Sequence, residues 1–594
     1  MRTPRLFPIA VLFALGLSLR LPAADPAFDA WVNRLTADAV RADPNSATAT
    51  QFFTGAEQDA LDRQLTPVTK AYRVERAAFA RRALAELAAL DRTKLDPQQV
   101  VSARIIEWHM QQVVLREPFA DHTLVFNQFW GLHTSLVNFL SQQHPIRNRR
   151  DIENYLARLG LVAARIDEGI AEARAAAARG FLMPDFITRA SLGQLDRFLE
   201  GGPARNGLVT SLAERAAKVE GLPAADRAAF VAAAEKIAGE SILPAFERVR
   251  ALLQEQLPRT TADAGMWRLP DGEKAYAVAL GYSTTTQLSA REIHEIGLKE
   301  VTRIEAEMDR LFRQLGYNEG TIVERCEKLN RDLQPPAEPD PRPALLKRYE
   351  GILADAVRRA QDYFDLQPKA ACEVRREPPF TEKTAAAHYS IPARDGSRPG
   401  VFWMPLPGPT FRMINMRTVT YHEGIPGHHY QLALIQEMTD LPRFRQDRIF
   451  GGNSANSEGW ALYAEQLAAE AGWYEGDIPG RLGQLEGELA RARRLVIDTG
   501  IHAMRWTRQQ AIDYGLPGFN AATEVERYVS IPGQACAYKI GQLKILELRT
   551  RAQTALKGKF SIKEFHNVVL RAGVVPLAVL ESIVDDWIAA SKTF

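Results

Sequence analysis

Cysteine is scarce in this sequence. Only Cys326, Cys372 and Cys536 occur among the 594 residues, and no Cys-x-x-Cys pair is present. Three widely spaced thiols cannot all pair, so the sequence predicts neither a disulfide framework nor a thiolate zinc site. One disulfide stays open if the compartment is oxidising. A metal site would therefore have to be built from His, Asp and Glu side chains.

An excess of charge of either sign is also missing. The 74 Lys and Arg residues nearly balance the 72 Asp and Glu residues, for a net charge of +2. No basic stripe is interleaved with aromatic residues, so nucleic acid is not an expected partner. Hydrophobic residues make up 46% of the chain. A chain of this length and composition can bury a large core and form more than one lobe.

Long hydrophobic runs are absent beyond the N-terminus. Arg2 and Arg5 precede an almost unbroken apolar run over residues 6–19, and small residues follow at 21–24. This pattern is typical of a signal peptide, which we place at residues 1–24. The run is too short for a comfortable membrane anchor, and no Cys follows it as a lipoprotein would require. We expect export to the periplasm or medium, with no stable membrane insertion after signal removal.

Helical periodicity dominates the rest of the chain. Apolar residues recur every three to four positions over residues 152–170, 224–257 and 289–315. Ser289 and Glu292 form a capping-box pattern, and Pro244 predicts a kink in the second segment. The sequence therefore predicts a mainly α fold.

Two segments depart from this pattern. Residues 332–343 are rich in proline and charge and are predicted to form a loop. Residues 373–407 lack helical periodicity, and two short extended runs at 388–391 and 400–404 predict a β-hairpin. We divide the mature chain into an N-terminal helical lobe, residues 25–285, and a helical catalytic lobe, residues 286–594.

The residues that point to chemistry begin at His422. A zinc hydrolase needs three protein ligands, an open position and a carboxylate that accepts a proton from water. A His-Glu pair followed by a second His on the same helix supplies most of this set. Here Glu423 follows His422, but the next histidines are six and seven residues further on, at His428 and His429. By contrast, His294-Glu295 has no second His within reach and is not a candidate.

The unusual spacing requires a distorted helix. On a straight helix, a separation of seven residues corresponds to roughly 10 Å, too far for both imidazoles to bind one ion. The intervening Gly424, Pro426 and Gly427 favour a bulge or break, because proline removes a backbone donor and glycine permits unusual dihedrals. Such a distortion would bring a later histidine beside His422. Without it the zinc hypothesis fails.

Four ordered sequence blocks resemble the bacterial domain of unknown function 885 family, which is grouped with the thermolysin-like (gluzincin) zinc metallopeptidases. The first is the block around the His-Glu pair, and the others follow it in the same order. They span residues 421–431, 457–465, 496–502 and 527–541. The first block is also similar to the His-Glu-x-Gly-His motif of helical carboxypeptidases with two residues inserted. That alignment favours His428 over His429 as a ligand.

The resemblance implies a two-lobed helical metallopeptidase with a central cleft and a small β-hairpin or sheet near the metal helix. It implies one Zn²⁺ held by His422, His428 and Glu458, with Glu423 as general base. Glu458 is expected at the start of a helix opened by Asn456 or Ser457. Glu465, two turns later, either orients an imidazole or lies on a solvated helix surface.

Further residues are given roles by the same resemblance. His502 and Tyr538 are predicted to donate to the oxyanion that forms when water attacks a carbonyl. Four residues are predicted to contact substrate, each with a structural alternative such as packing, an internal salt bridge or a turn cap. They are His429, Arg527, Tyr528 and Gln534.

The leading hypothesis is zinc-dependent hydrolysis of peptide bonds in short peptides, of the carboxypeptidase, dipeptidyl-carboxypeptidase or oligopeptidase type. One alternative is a zinc hydrolase acting on a non-peptide amide or another small molecule. Another is a non-catalytic binding protein on the same fold. The second alternative is disfavoured because a mere binding protein would not need Glu423 as a general base beside its histidines.

Overall fold

The computed structural model describes residues 24–336, 339–378, 382, 385–394, 396 and 398–593. Within these residues the fold is mainly α-helical and contains one small β-sheet. The predicted signal peptide, apart from Ala24, lies outside the described residues, as does Asp395 in the turn of the predicted hairpin. No described helix combines the length and the apolar character needed to cross a bilayer.

The N-terminal part of the chain is built from helices. They are α1 (Pro26–Arg41), α2 (Pro44–Thr50), α3 (Gly55–Asp62), α4 (Lys70–Ala89), α5 (Pro97–Arg116), α6 (Leu132–Asn138), α7 (Arg149–Ala178), α8 (Asp185–Leu199), α9 (Gly207–Ala216), α10 (Ala224–Ile237) and α11 (Leu243–Gln256). The predicted stripe of α7 is buried, from Ile152 to Ile166. A single π-helical turn, Ala238–Ile242, interrupts the segment just before Pro244, where the proline predicted a kink.

Four helices and the sheet follow. The helices are α12 (Gly272–Thr284), α13 (Ala290–Gln314), α14 (Ile322–Asp332) and α15 (Arg342–Ala360), and the strands are β1 (Cys372–Arg376), β2 (His388–Ser390) and β3 (Gly400–Met404). The capping box of Ser289 and Glu292 opens α13 as predicted. The predicted hairpin is confirmed, because β2 pairs antiparallel with β3. The sequence did not predict β1, which pairs in parallel on the other side of β3.

The C-terminal part is again helical. It contains α16 (Met416–Glu423), α17 (His428–Glu437), α18 (Arg443–Gln446), α19 (Ser454–Glu470), α20 (Ile478–His502), α21 (Arg508–Asp513), α22 (Ala521–Ser530), α23 (Ala537–Leu556), α24 (Ile562–Ala572) and α25 (Leu577–Thr593). Helix α20 is buried along most of its length. Its apolar side chains contribute to three hydrophobic clusters, which makes it the central element of the fold.

Residues from both predicted lobes share these clusters. The largest joins α1, α4 and α5 to the sheet and to α16, α17, α19 and α23. A second joins α7–α11 to α20 and α22. The N-terminal helices therefore pack directly against the elements that carry the candidate metal residues. The division of the chain near residue 285 stays a prediction.

Candidate metal centre

The surplus residues between the two histidines form a turn that separates two helices. Helix α16 ends at Glu423, and Gly424, which follows it, has φ −99° and ψ −111°. Gly427 has φ −82° and ψ −125°, and α17 begins directly after it. This break places the rings of His422 and His428 side by side, with centroids 4.8 Å apart and planes at 83°. The break required by the zinc hypothesis is therefore present.

Glycine is needed in this turn because the backbone approaches too closely for a side chain. A Cβ atom at Gly427 would lie 2.0 Å from the carbonyl oxygen of His422, and one at Gly424 would lie 2.7 Å from that of Thr420. The turn is also held from a neighbouring helix, since the Trp460 indole N–H donates to the Pro426 carbonyl at 2.9 Å. The position of His428 thus depends on local sequence and on α19.

Three predicted metal ligands converge at this point. Their candidate ligand atoms all lie within 4.8 Å of one another in the cluster of His422, His428 and Glu458. The Glu458 Oε2 atom is 3.3 Å from the Nε2 atom of His422 and 3.4 Å from that of His428. Two imidazole nitrogens and one carboxylate oxygen form a donor set that suits Zn²⁺.

Helix α19 positions Glu458 in its second turn. The helix begins earlier than predicted, because the side chain of Asn453, rather than Asn456 or Ser457, caps it by accepting from the Asn456 N–H. The favourable N-terminal end of the helix dipole is therefore further from Glu458 than expected. The nearby imidazoles instead hold the pKa of Glu458 well below its usual range, although burial opposes this shift.

Glu465 orients the first histidine. Glu465 is 2% exposed, and its carboxylate accepts hydrogen bonds from His422 Nδ1 at 2.7 Å and from Thr418 Oγ1 at 2.5 Å. Of its two predicted environments, the structure places it beside the imidazole rather than on a solvated surface. With Nδ1–H donating to Glu465, the Nε2 atom of His422 faces Glu458 and the rest of the cluster. Burial lowers the pKa of His422, but the carboxylates of Glu458 and Glu465 raise it to about 10.

Negative charge accumulates around the cluster. Glu423, next to His422, is 7% exposed, and burial raises its pKa. Together with Glu458 and Glu465 it makes three enclosed carboxylates, and no Lys or Arg of the described residues forms an ion pair with any of them. The partners of Glu458 and Glu465 are instead the imidazoles of His422 and His428, and enclosed carboxylates need such a counter-charge or a metal ion. The residues at this position therefore fit a divalent cation.

His429 turns away from the cluster. Its Nε2–H donates to the Ala370 carbonyl at 3.1 Å, and its Nδ1 accepts from the Tyr389 hydroxyl at 2.9 Å. Burial lowers its pKa to about 4. With both ring nitrogens occupied, the structure supports the packing role of His429 rather than substrate contact.

Both ring nitrogens of His502 have backbone partners, so neither is available to an oxyanion. Its Nδ1 accepts from the Met266 backbone N–H at 3.1 Å, and its Nε2–H donates to the Tyr528 carbonyl at 3.1 Å. Burial lowers its pKa to about 4, so the ring is neutral at pH 7. The predicted catalytic role of His502 is therefore corrected to a structural one: it ties the end of α20 to two other segments.

Tyr538 lies close to Glu458. Burial and the negative charge of Glu458 raise the pKa of its hydroxyl. The Arg494 guanidinium lies 4.7 Å from the centroid of its ring. No residue in the described part of the chain accepts a hydrogen bond from this hydroxyl. Unlike His502, Tyr538 therefore has a hydroxyl hydrogen that is available to an oxyanion.

The remaining predicted substrate residues form a network beside Tyr538. Arg527 donates to Gln534 at 2.6 Å and to Glu524 at 2.9 Å. The Tyr528 hydroxyl donates to Glu524 at 2.8 Å, and Arg494 donates to that hydroxyl at 3.1 Å. These contacts support the internal salt bridge for Arg527 and a structural role for Tyr528. Gln534 also lines a large cavity.

Sequence reasoning missed three residues that shape the site. Thr418 bonds to Glu465, Trp460 holds the turn, and Arg494 lies over Tyr538. A signal existed for Thr418, because it precedes His422 by four residues and so lies on the same helical face. No comparable signal marks Trp460 or Arg494, whose partners are distant in sequence.

Comparisons with known proteins show the same fold elsewhere. A crystal structure from Colwellia psychrerythraea, described as a "putative lipoprotein", is 29% identical, with a TM-score of 0.86 over 95% of this chain and 99% of that chain. A structure from Shewanella oneidensis, described as a "putative lipoprotein of unknown function", is 18% identical, with a TM-score of 0.70 over 94% of this chain and 100% of that chain. The profile of a family described as bacterial protein of unknown function (DUF885) matches residues 44–584. No curated protein matches the chain.

Proposed function

The chain belongs to the DUF885 family of bacterial proteins of unknown function, and we propose that it is a zinc-dependent hydrolase of peptide bonds in short peptides. The observation that carries this proposal is the convergence of His422, His428 and Glu458 beside the buried carboxylates of Glu423 and Glu465. Such a site is well suited to a divalent cation. Glu423 adds a carboxylate that is not one of the three ligands and is therefore available as a base.

His422, His428 and Glu458 would hold the metal. A bound Zn²⁺ supplies Lewis acidity, which polarises a carbonyl group and lowers the pKa of water. Glu465 keeps His422 in the tautomer whose Nε2 faces the cluster. The chain would thus provide three ligands, and water or substrate would take a further position, as in catalytic zinc sites.

Glu423 would act as the general base. Burial raises the pKa of its carboxyl, which strengthens the carboxylate as a proton acceptor near neutral pH. After accepting a proton from water, Glu423 would deliver it to the leaving amine. Tyr538 would donate its hydroxyl hydrogen to the oxygen that becomes negative during attack on the carbonyl.

Export remains part of this proposal. The two similar structures are described as "putative lipoproteins", which agrees with a protein that leaves the cytoplasm.

The test combines metal analysis with a peptide-library digest of the purified mature protein. We expect about one zinc per chain, cleavage of short peptides, and loss of cleavage in Glu423→Gln with zinc still bound. Glu295→Gln is the matched control, because Glu295 also follows a His but is exposed and pairs with Arg291 at 3.1 Å.

Two outcomes would contradict the proposal. One is a protein that holds no zinc when loaded with one equivalent. The other is equal cleavage by wild type and Glu423→Gln. Zinc binding with cleavage of a non-peptide amide but no peptide would instead favour the alternative small-molecule hydrolase. Zinc binding with no hydrolysis of either class would favour a non-catalytic binding protein.

A further inference from the structure

A large cavity lies beside the candidate metal centre. It has a volume of about 910 Å³, and its walls come from α4, α5, α12 and the segment that leads into α19. Ser457, which directly precedes the candidate ligand Glu458, is part of its wall, as is Gln534. The metal ligands themselves do not line it. The cavity therefore adjoins the site and offers space for parts of a substrate away from the reacting bond.

Four arginines line this cavity, namely Arg73, Arg76, Arg116 and Arg448. Arg73 is neutralised, because it pairs with Glu172 at 2.6 Å. The other three form no ion pair with any carboxylate of the described residues.

The two acidic residues of the cavity wall do not balance these charges. Asp447 pairs with Arg443 at 2.9 Å and also with Arg394, both of which lie outside the cavity lining. Glu117 lies 3.9 Å from Arg81, which is outside the lining as well. The cavity therefore carries an uncompensated positive charge next to the site.

Arg448 is the most exceptional of these residues. Its backbone has φ +56°, in the left-handed region that favours glycine. Its side chain is solvent-exposed, yet the surrounding protein lowers its pKa by desolvation, as expected for a charge deep in a concave surface. The titratable groups close enough to act on it are Asp447 and Tyr389. Tyr389 in turn bonds to His429, which directly follows the candidate ligand His428.

Arg76 and Arg116 face the same part of the cavity. Both lower the pKa of His109, after the larger effect of burial. His109 accepts a hydrogen bond from the backbone N–H of Gly451 at 3.3 Å. Gly451 is three residues after Arg448, and all three unpaired arginines line the same cavity.

Aromatic groups complete the cavity. The Arg116 guanidinium lies 3.9 Å from the centroid of the Tyr282 ring, and Trp130 is 69% exposed in the wall. Stacking holds a guanidinium in place while its N–H groups remain available to an anion. Exposed aromatic rings next to cationic groups suit a ligand with both apolar and carboxylate parts.

We propose that this cavity binds a carboxylate of the substrate, so that the protein selects negatively charged peptides. This inference rests on the proposed peptide hydrolysis, but its test measures binding and does not require turnover. The carboxylate is either the C-terminal group of the peptide or an Asp or Glu side chain. In both cases it pairs with Arg448, Arg116 and Arg76 while the peptide chain extends toward Ser457 and the metal ligands.

The test measures binding, independently of turnover, in the Glu423→Gln protein. Three N-acetylated tripeptides are titrated by calorimetry: Ala-Ala-Phe as free acid, Ala-Glu-Phe amide and Ala-Gln-Phe amide. We expect at least one of the acidic peptides to bind about tenfold or more tightly than the neutral one, a preference that salt weakens. The acid that binds better identifies whether the C-terminus or a side chain is recognised.

Variants locate the effect. Arg448→Gln and Arg116→Gln should each reduce the preference for the acidic peptide about fivefold or more. Arg291→Gln is the control, since Arg291 is 84% exposed on α13 and does not line the cavity. Two arginine variants are used so that misfolding of one leaves the other informative.

The outcomes separate this inference from the proposed function. Equal binding of all three peptides, no binding of any of them, or an unchanged preference in both arginine variants would overturn it. If wild type cleaves peptides without regard to charge, the cavity inference fails and the proposed function stands. If charge-dependent binding is found but wild type cleaves nothing, the reverse holds.

Discussion

Replacement of Glu465 by Gln tests whether the second carboxylate beside His422 supports metal binding. The substitution conserves volume, so it leaves no cavity. It removes the negative charge that accepts from His422 Nδ1 at 2.7 Å and from Thr418 at 2.5 Å. Glutamine has a single acceptor oxygen and cannot stabilise the imidazole in the same way.

The magnitude follows from the surroundings of Glu465. Residues that orient a metal-bound histidine typically contribute about 10- to 100-fold to metal affinity, or about 1.4–2.7 kcal/mol. Because Glu465 is 2% exposed, water and salt screen its charge little. We expect a loss of zinc affinity near the upper end of this range.

The metal-free protein should be affected as well. Glu465 lies 2.7 Å from His422 Nδ1, and it is one of the carboxylates that raise the pKa of this buried imidazole to about 10. Removing its charge leaves the protonated ring with less compensation, so the unfolding temperature without metal should fall. The increase in that temperature on adding zinc should shrink, since stabilisation by a ligand depends on its affinity.

The assay is chelator competition for zinc affinity, together with thermal unfolding with and without zinc. Glu470→Gln is the control, because Glu470 lies on the same helix but pairs with Arg549 at 2.7 Å. Zinc affinity equal to that of wild type in a folded Glu465→Gln protein would refute the reasoning. If the metal-free variant then also unfolds at a lower temperature, Glu465 is structural instead.

Three further predictions address the turn, the corrected histidine and a titrating group. Gly427→Ala should destabilise the protein by about 1–3 kcal/mol and weaken zinc binding, because its Cβ would lie 2.0 Å from the His422 carbonyl oxygen. Denaturant unfolding measures the stability and zinc titration measures the affinity. A stability and an affinity equal to those of wild type would contradict the close approach. His502→Gln should cost about 1–3 kcal/mol by disturbing the buried bond from Met266. Zinc affinity, measured by chelator competition, and the rate of peptide cleavage should stay constant. Slower cleavage by a folded variant that still binds zinc would restore the predicted role at the oxyanion. Burial raises the pKa of Asp498 to about 7, so the folded protein binds this proton more tightly than the unfolded chain does. Stability should therefore fall as the pH rises from about 4 to about 7, by up to about 1.4 kcal/mol per pH unit. Urea unfolding across that range should show a flatter dependence on pH in Asp498→Asn, and a slope identical to that of wild type would exclude Asp498 as the source.

The extent of prediction from sequence differs between fold and site. The α7 stripe, the α13 capping box and the hairpin of β2 and β3 were predicted correctly, because short-range periodicity and turn composition determine them. The parallel pairing of β1 with β3 was not predicted. That pairing joins residues almost thirty positions apart, and nothing in the local sequence of either strand specifies its neighbour.

Within the site, the roles of His422, His428 and Glu458 could be proposed because they occur in compact motifs. The role of His502 was predicted wrongly, since its polar partners, Met266 and the Tyr528 carbonyl, lie on elements whose positions only folding determines. A histidine that forms two hydrogen bonds to the backbone looks the same in sequence as one that donates to a substrate.

The sequence has few cysteines, so it leaves only His and carboxylate side chains for a metal site. The sequence by itself also required a break between His422 and His428, because a straight helix would separate them too far. Only the tertiary structure decided that the break is a turn held by Trp460 and that Glu465 is buried against His422. It alone placed unpaired arginines beside the metal centre. The physical reason is that helix geometry is local, whereas burial and charge compensation depend on residues brought together from across the whole chain.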